Sequence, residues 1–165
     1  MRIMFVRHIP AYGHFLVDEK DDYLREIIPK SKKKFLKHLG TIKKLFPHSD
    51  VIFTSPLVRA VQTAELVYEI YPDSNLEMMS DLHILDNPAH LVELISFLPL
   101  DGDYIFVGHE PHLSKVIAAL LSLHPEHDFM TLKKGGICIL EGGLWQGFSL
   151  KLLLSPKVFS LIHEK

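Results

Sequence analysis

The sequence contains one cysteine, Cys138, and no apolar run long enough to cross a bilayer. A single cysteine excludes an intrachain disulfide and favours a reducing compartment. A transmembrane helix needs roughly 20 apolar residues, so no membrane span and no membrane partner are expected. The apolar stretch at the N-terminus, residues 3–6, is shorter than the roughly 7–15 residues of a signal-peptide core. We therefore expect a cytoplasmic protein.

An excess of one charge is also missing, since 18 basic and 20 acidic residues give a formal net charge of −2. A nucleic-acid-binding protein usually carries a strong basic excess, so no nucleic acid partner is expected. Hydrophobic residues make up 47% of the chain, which excludes a disordered protein. At about 150 residues per domain, the length predicts one domain over residues 1–165.

Short apolar segments alternate with helical patterns along the chain. Strands are predicted at residues 3–6, 51–53, 76–79 and 104–107, each followed in turn by a helix, at 29–46, 57–71, 88–98 and 111–123. Ser55 before Pro56 predicts an N-cap for the second helix. Two last strands, 137–140 and 148–154, flank a glycine-rich turn and predict a hairpin. The alternation predicts an α/β fold, a single three-layer α/β/α domain whose mostly parallel sheet has helices on both faces.

Cationic residues follow three of the predicted strands. Arg7 and His8 follow the first strand, Arg59 lies in the first turn of the helix after the second, and His109 follows the fourth. The carboxyl ends of parallel strands form one edge of a sheet, where ligands bind, so these side chains should converge. Helix N-termini and arginines at that edge favour an anion. The pattern predicts a phosphate site with a nucleophilic histidine.

Three segments resemble the histidine phosphatase (phosphoglycerate-mutase-like) superfamily. They are Val6-Arg7-His8, Val107-Gly108-His109 and, most specific, Thr54-Ser55-Pro56-Leu57-Val58-Arg59-Ala60-Val61-Gln62-Thr63-Ala64. The short chain, the R-H-x-x-A form from Arg7 to Ala11 and the ending at 154–157 look most like the SixA-type phosphohistidine phosphatases. The resemblance implies the fold of that superfamily and a phosphatase that uses no metal and no other cofactor.

Carried over by matching position, the resemblance implies that His8 is the phosphorylated nucleophile and that Arg7, Arg59 and His109 hold the phosphoryl oxygens. The superfamily usually has glycine where Ile9 stands. A β-branched residue there would be strained if the position required a positive φ.

The acidic proton donor of mutase-type members is also missing. Ile84 stands at its place, and the SixA branch lacks the acid too. Asp86 and His83 are nearby candidates for a substitute proton donor. The spacing of His109 and His112 raises the alternative of a metal site, but no third ligand is evident and no metal is expected.

Three functions remain open at this point. The first is a metal-independent phosphatase acting through a phosphohistidine intermediate on protein phosphohistidine, and the second is a small-molecule phosphomonoesterase. The third is a non-catalytic phosphate-recognition module. The short chain leaves little room for a lid, which favours an open site and a phosphorylated protein partner. An acidic partner is a further alternative at a lysine-rich helix whose other interpretation is a solvated face: Lys30, Lys32, Lys33, Lys34, Lys37, Lys43 and Lys44.

Overall fold

The computed structural model describes residues 1–13, 22–122, 130–143 and 145–163. Its sheet has six strands in the order β3-β2-β4-β1-β5-β6. Their bounds are β1 Arg2–Arg7, β2 Val51–Thr54, β3 Asn75–Met78, β4 Asp103–Gly108, β5 Ile137–Gly143 and β6 Gly147–Leu154. The first four strands are mutually parallel, whereas β5 is antiparallel to β1 and forms a hairpin with β6. The predicted mostly parallel sheet and its C-terminal hairpin are confirmed.

Helices cover both faces of this sheet, as predicted. Their bounds are α1 Lys30–Ile42, α2 Val58–Ile70, α3 Pro88–Phe97, α4 His112–Leu120 and α5 Pro156–His163, and a short 3₁₀ helix covers Ser80–Leu82. None of the helices in the described part of the chain has the length and apolar character that crossing a membrane requires.

The two cores follow from the alternation of side chains along buried strands. Met4 and Val6 of β1 pack on one face, against residues of α1, α2 and α5. Ile3 and Phe5 pack on the other face, against residues of α3 and α4. Cys138 belongs to this second core, as its place in a predicted strand suggested, and burial raises the pKa of its thiol to about 12.

One local prediction is wrong. Ser55 does not cap α2, because the helix begins only at Val58; the buried Ser55 hydroxyl bonds to a histidine and accepts the Leu57 N–H at 3.4 Å. Helix α5 was not predicted at all. No strand or helix was predicted over residues 9–28, and most of the described part of this loop is irregular, with an isolated bridge between Ala11 and Ile27, while residues 14–21 lie outside the described part.

Ile9 is accommodated without backbone strain. In the described residues the only positive φ outside glycine is that of Ser122. The Ile9 side chain is buried in the first core, and its backbone N–H donates to Thr63 Oγ1 at 3.2 Å. The position therefore accepts a β-branched residue.

Candidate active site

The carboxyl edge of the sheet brings the predicted residues together. Strands β1 and β4 pair in parallel with Arg7 opposite Gly108, and the His8 N–H donates to the Gly108 carbonyl at 3.0 Å. This register places the next side chains, His8 and His109, side by side with ring centroids 5.1 Å apart. Arg7 ends β1, and Arg59 lies in the first turn of α2. We call these four residues, Arg7, His8, Arg59 and His109, the His–Arg pocket.

His8 has one ring nitrogen committed and one available. Its ring is 4% exposed, and Nδ1 lies 2.8 Å from the Ile9 carbonyl oxygen, which accepts the Nδ1–H. The pKa of His8 is lowered to about 3, mainly by burial and in addition by the charges of Arg59 and Arg7. At neutral pH the ring is therefore uncharged, with the lone pair on Nε2. That is the protonation state of a nucleophile.

His109 is held by the hydroxyl of Ser55, which the sequence analysis predicted to be a helix N-cap. Its Nε2 lies 2.8 Å from Ser55 Oγ, and the ring is almost fully buried. Burial lowers the pKa of His109 to about 2, with the charges of His8 and Arg59 acting in the same direction. Nδ1 of His109 is buried and has no hydrogen-bond partner among the described residues. The His109 ring is therefore neutral and fixed by Ser55, and Nδ1 is the ring nitrogen that can bind a ligand.

Both arginines are anchored at one side of the guanidinium. Arg59 is 1% exposed, and its Nη1 donates to the Asp22 carbonyl at 2.7 Å while Nη2 lies 3.1 Å from the Asp22 carboxylate. Nη1 of Arg7 donates to the Leu132 carbonyl at 2.7 Å. The Nε of each arginine is buried with no partner in the described ranges. Buried donors normally have acceptors, so these two point to an anion as the missing one.

The contact of Asp22 with Arg59 was not predicted. Asp22 also bonds Arg25, and its pKa is lowered because the two arginines outweigh the opposing effect of burial. In the sequence, Asp22 is one member of an acidic segment in a predicted loop. The spacing of Asp22 and Arg25 is a local signal, but the link to Arg59 joins residues 37 positions apart and needs the fold.

Glu110 is linked to Arg7 of the His–Arg pocket through the backbone of one residue, Leu132. Its carboxylate accepts the Leu132 N–H at 2.7 Å, and the Leu132 carbonyl in turn accepts from Arg7. The same carboxylate accepts the hydroxyl of Ser114. Glu110 therefore fixes the segment that orients Arg7.

Replacing Glu110 should misplace Arg7. We expect Glu110→Ala to lower kcat/KM by about 10- to 10²-fold, because small displacements of a charged group in a site are costly. Glu110→Gln keeps an acceptor for the Leu132 N–H and should recover most of the loss. Glu93→Ala, an exposed change on α3, is the control. Unchanged kinetics in a folded Glu110→Ala protein would remove this positioning role.

In the part of the chain that the structure describes, no third side chain joins His109 and His112 in a group with metal-ligand spacing. Glu110, between them in sequence, is committed to Leu132 and Ser114. Among the described residues, side chains with metal-ligand spacing are found in another cluster, Asp81, Asp86 and His90, whose ligand atoms lie within 4.8 Å of one another.

The two candidate proton donors lie on the α3 side of the pocket. The His83 ring is near enough to His109 for its charge to lower the pKa of His109. Asp86 Oδ1 lies 3.1 Å from His90 Nδ1, and hydrogen bonds to Asn87 and His90 lower the pKa of Asp86 against the effect of burial. A role for either residue as proton donor stays a prediction.

Acidification should destabilise the folded protein. The pKa values of His8 and His109, about 3 and about 2, lie below the ordinary value of 6.5, so the unfolded chain binds more protons at mildly acidic pH. Their contribution to stability is complete above about pH 6.5 and is lost as the pH falls toward the folded pKa values. The free energy of unfolding should fall by up to about 1.4 kcal/mol per pH unit for each ring.

Urea unfolding between about pH 7 and about pH 4 measures this slope. His109→Gln should flatten it, whereas His48→Gln, at an exposed position, should not. Parallel profiles for wild type and His109→Gln would contradict the prediction.

Comparison with known proteins agrees with this architecture. No model of a known protein family matches the chain. An uncharacterised protein of Picosynechococcus sp. is 28% identical over 170 residues, covering 95% of this chain and 98% of that protein. The solved structure of the protein histidine phosphatase SixA complexed with tungstate superposes with a TM-score of 0.81 at 17% identity, covering 96% of this chain and 99% of that one.

A phosphoserine phosphatase from Entamoeba histolytica, in complex with 3-phosphoglyceric acid, superposes with a TM-score of 0.65 at 18% identity, covering 93% and 96% of the two chains. These superpositions confirm the fold that the sequence motifs implied. The chain has the phosphoglycerate-mutase-like α/β fold of the histidine phosphatases.

Proposed function

We propose that this protein is a metal-independent phosphatase that forms a phosphohistidine on His8 and acts on protein phosphohistidine. One observation carries the proposal: a neutral His8 with Nε2 available lies beside His109 and near two guanidinium groups, the buried one of Arg59 and the half-buried one of Arg7. The charge that a metal supplies in other phosphatases comes here from Arg7 and Arg59.

In the first step, Nε2 of His8 attacks phosphorus. The bond from phosphorus to the leaving group breaks, and the leaving group takes the bonding electrons. Arg7 and Arg59 stabilise the charge on the equatorial oxygens, and Nδ1–H of His109 donates a hydrogen bond to one of these oxygens. Water then attacks the phosphorus of phospho-His8, the electron pair of the P–N bond returns to Nε2, and inorganic phosphate leaves.

Two considerations favour a protein substrate. The elements in the described part of the chain include no second subdomain over the carboxyl edge of the sheet, which favours a large substrate. The protein histidine phosphatase SixA is, in addition, the structural relative with a TM-score of 0.81.

The second candidate is a small-molecule phosphomonoesterase, and the likeness to a phosphoserine phosphatase favours it. The third candidate is a non-catalytic phosphate-binding module. It would use the same pocket but would form no phosphoenzyme. Trapping of labelled phosphate on His8 separates the third from the other two.

A substrate panel in the presence of EDTA tests the proposal. Phosphohistidine-bearing protein should be hydrolysed, and chelation should leave the rate unchanged, because arginines and helix N-termini supply the positive charge. Vanadate should inhibit by mimicking the trigonal-bipyramidal transition state. A rate that vanishes in EDTA and returns with Zn²⁺ would revive the metal alternative.

A further inference from the structure

A cavity of about 360 Å³ lies beside the His–Arg pocket. Ile9, Phe35 and Pro156 form apolar parts of its wall, and the rest of the lining includes Ser31, His38 and three lysines, Lys30, Lys34 and Lys134. Ligand pockets in proteins run from about 300 to 1,000 Å³. This cavity is at the small end of that range and suits one or two side chains. We call it the lysine cavity.

The lysine cavity shares a wall with the His–Arg pocket. Ile9, which lines the cavity, follows His8 directly in the chain. Gly135, also in the lining, donates its N–H to the carbonyl oxygens of Arg7 and His8, each at 3.1 Å. Gly135 has a φ of +75°, a conformation that glycine adopts without strain. A group bound in the cavity would therefore lie next to whatever His8 attacks.

Among the described residues, the charged side chains that line this cavity are all lysines. Lys30, Lys34 and Lys134 are exposed, and no carboxylate in the described residues forms an ion pair with any of them. Lys30 and Lys34 are one helical turn apart on α1, so they present their ammonium groups along one face. Lys134 reaches the same cavity from a segment 100 residues further along the chain. An occupant with an apolar body and acidic groups would match both features.

We propose that the lysine cavity binds the polypeptide segment next to the phosphorylated histidine of a protein substrate, taking an apolar side chain between flanking Asp or Glu residues. This inference rests on the proposed function and adds to it a preference for the sequence around the phosphorylated histidine.

Helix α1 supplies a matched control. Lys33 and Lys37 are also exposed and also four residues apart, but neither lines the cavity. The double variants Lys30→Glu/Lys34→Glu and Lys33→Glu/Lys37→Glu therefore make the same change in net charge on the same helix. A long-range effect of charge would change the affinity for a peptide equally in both variants, whereas a local site would change it only in Lys30→Glu/Lys34→Glu.

The first measurement is binding, which does not depend on catalysis. Two fluorescent, unphosphorylated peptides carry a histidine followed by Asp-Leu-Asp or by Asn-Leu-Asn, and anisotropy gives Kd for each. We expect the acidic peptide to bind wild type roughly 10-fold more tightly at low salt, since each exposed ion pair contributes only a few-fold. Lys30→Glu/Lys34→Glu should abolish that preference, and Lys33→Glu/Lys37→Glu should retain it. Added salt should reduce it.

The second measurement is turnover of the same peptides after phosphorylation of the histidine. The kcat/KM ratio of acidic to neutral peptide should follow the binding preference in all three proteins, and the control variant Lys33→Glu/Lys37→Glu should hydrolyse p-nitrophenyl phosphate at the wild-type rate. Equal binding of the two peptides, or equal loss in both double variants, overturns the lysine cavity as a substrate site.

The two proposals fail differently. Absence of phosphate release from every substrate would refute the proposed phosphatase, and a binding preference that persisted would then show a peptide site with no substrate role. Normal release with no peptide preference would refute only the lysine cavity.

Discussion

Substitution of His8 by alanine will abolish phosphate release and leave the protein unable to retain labelled phosphate. His8 is the buried ring whose Nε2 is available while Nδ1 is bonded to the Ile9 carbonyl, so its removal eliminates the covalent route. Loss of a covalent nucleophile costs about 10⁴-fold or more in kcat. Rapid mixing with a radiolabelled substrate and quenching in alkali, where phosphohistidine survives, measures both quantities.

Arg59→Ala should give a graded loss in the same assay. Removing one preorganised charge costs on the order of 10²–10³-fold, so turnover should be slow but measurable. His48→Ala, which changes an exposed histidine, should match wild type in rate and labelling. Undiminished turnover by the His8 variant would refute the phosphoenzyme.

The second large effect concerns the leaving group. We expect phosphoramidates and activated aryl phosphates to be hydrolysed about 10²–10⁴-fold faster than alkyl phosphates, which is the usual size of general acid catalysis. The leaving group of an alkyl phosphate departs as an alkoxide unless an acid protonates it, and Ile84 has no proton to give. The distal nitrogen of phosphohistidine takes a proton from solvent before the P–N bond breaks, so neutral imidazole leaves unaided.

The electrostatics of the pocket agree with this expectation. Among the described residues, the side chains whose charges most strongly shift the pKa values of His8 and His109 are arginines, Lys134 and other histidines, and none is a carboxylate. Initial rates on phosphohistidine, p-nitrophenyl phosphate and glycerol phosphate give the comparison directly.

Asp86→Asn tests whether a neighbour has replaced the missing acid. If wild type hydrolyses alkyl phosphates well and this variant loses that activity selectively, the protein belongs with the small-molecule phosphatases. Asp73→Asn, at an exposed position, is the control for a change in charge alone.

The sequence predicted the sheet and the four residues of the pocket because both depend on short-range patterns. Apolar runs such as residues 3–6 mark buried strands, and the residues that follow parallel strands meet at one edge. The roles of those four residues remain a proposal, while their placement at one edge follows from the parallel pairing of β4 with β1 and with β2.

The parts that the sequence did not reveal depend on contacts between distant segments. Ser55 satisfied the local rule for an N-cap, yet its hydroxyl is bonded to His109, which lies 54 residues away. The lysines of α1 had the pattern of a solvated face. Two of them line a cavity only because residues 134 and 135 pack across from the helix.

The register of β1 against β4 has a consequence for how this protein could change in evolution. The backbone hydrogen bond from His8 to Gly108 fixes the rings of His8 and His109 relative to two buried strands. A register shift of one residue in either strand would move its side chains to the opposite face of the sheet and disrupt both cores. The lysines on α1 have no such constraint, because their side chains are exposed. Selection could therefore exchange one set of partners for another through surface substitutions, while the reacting groups keep their distance.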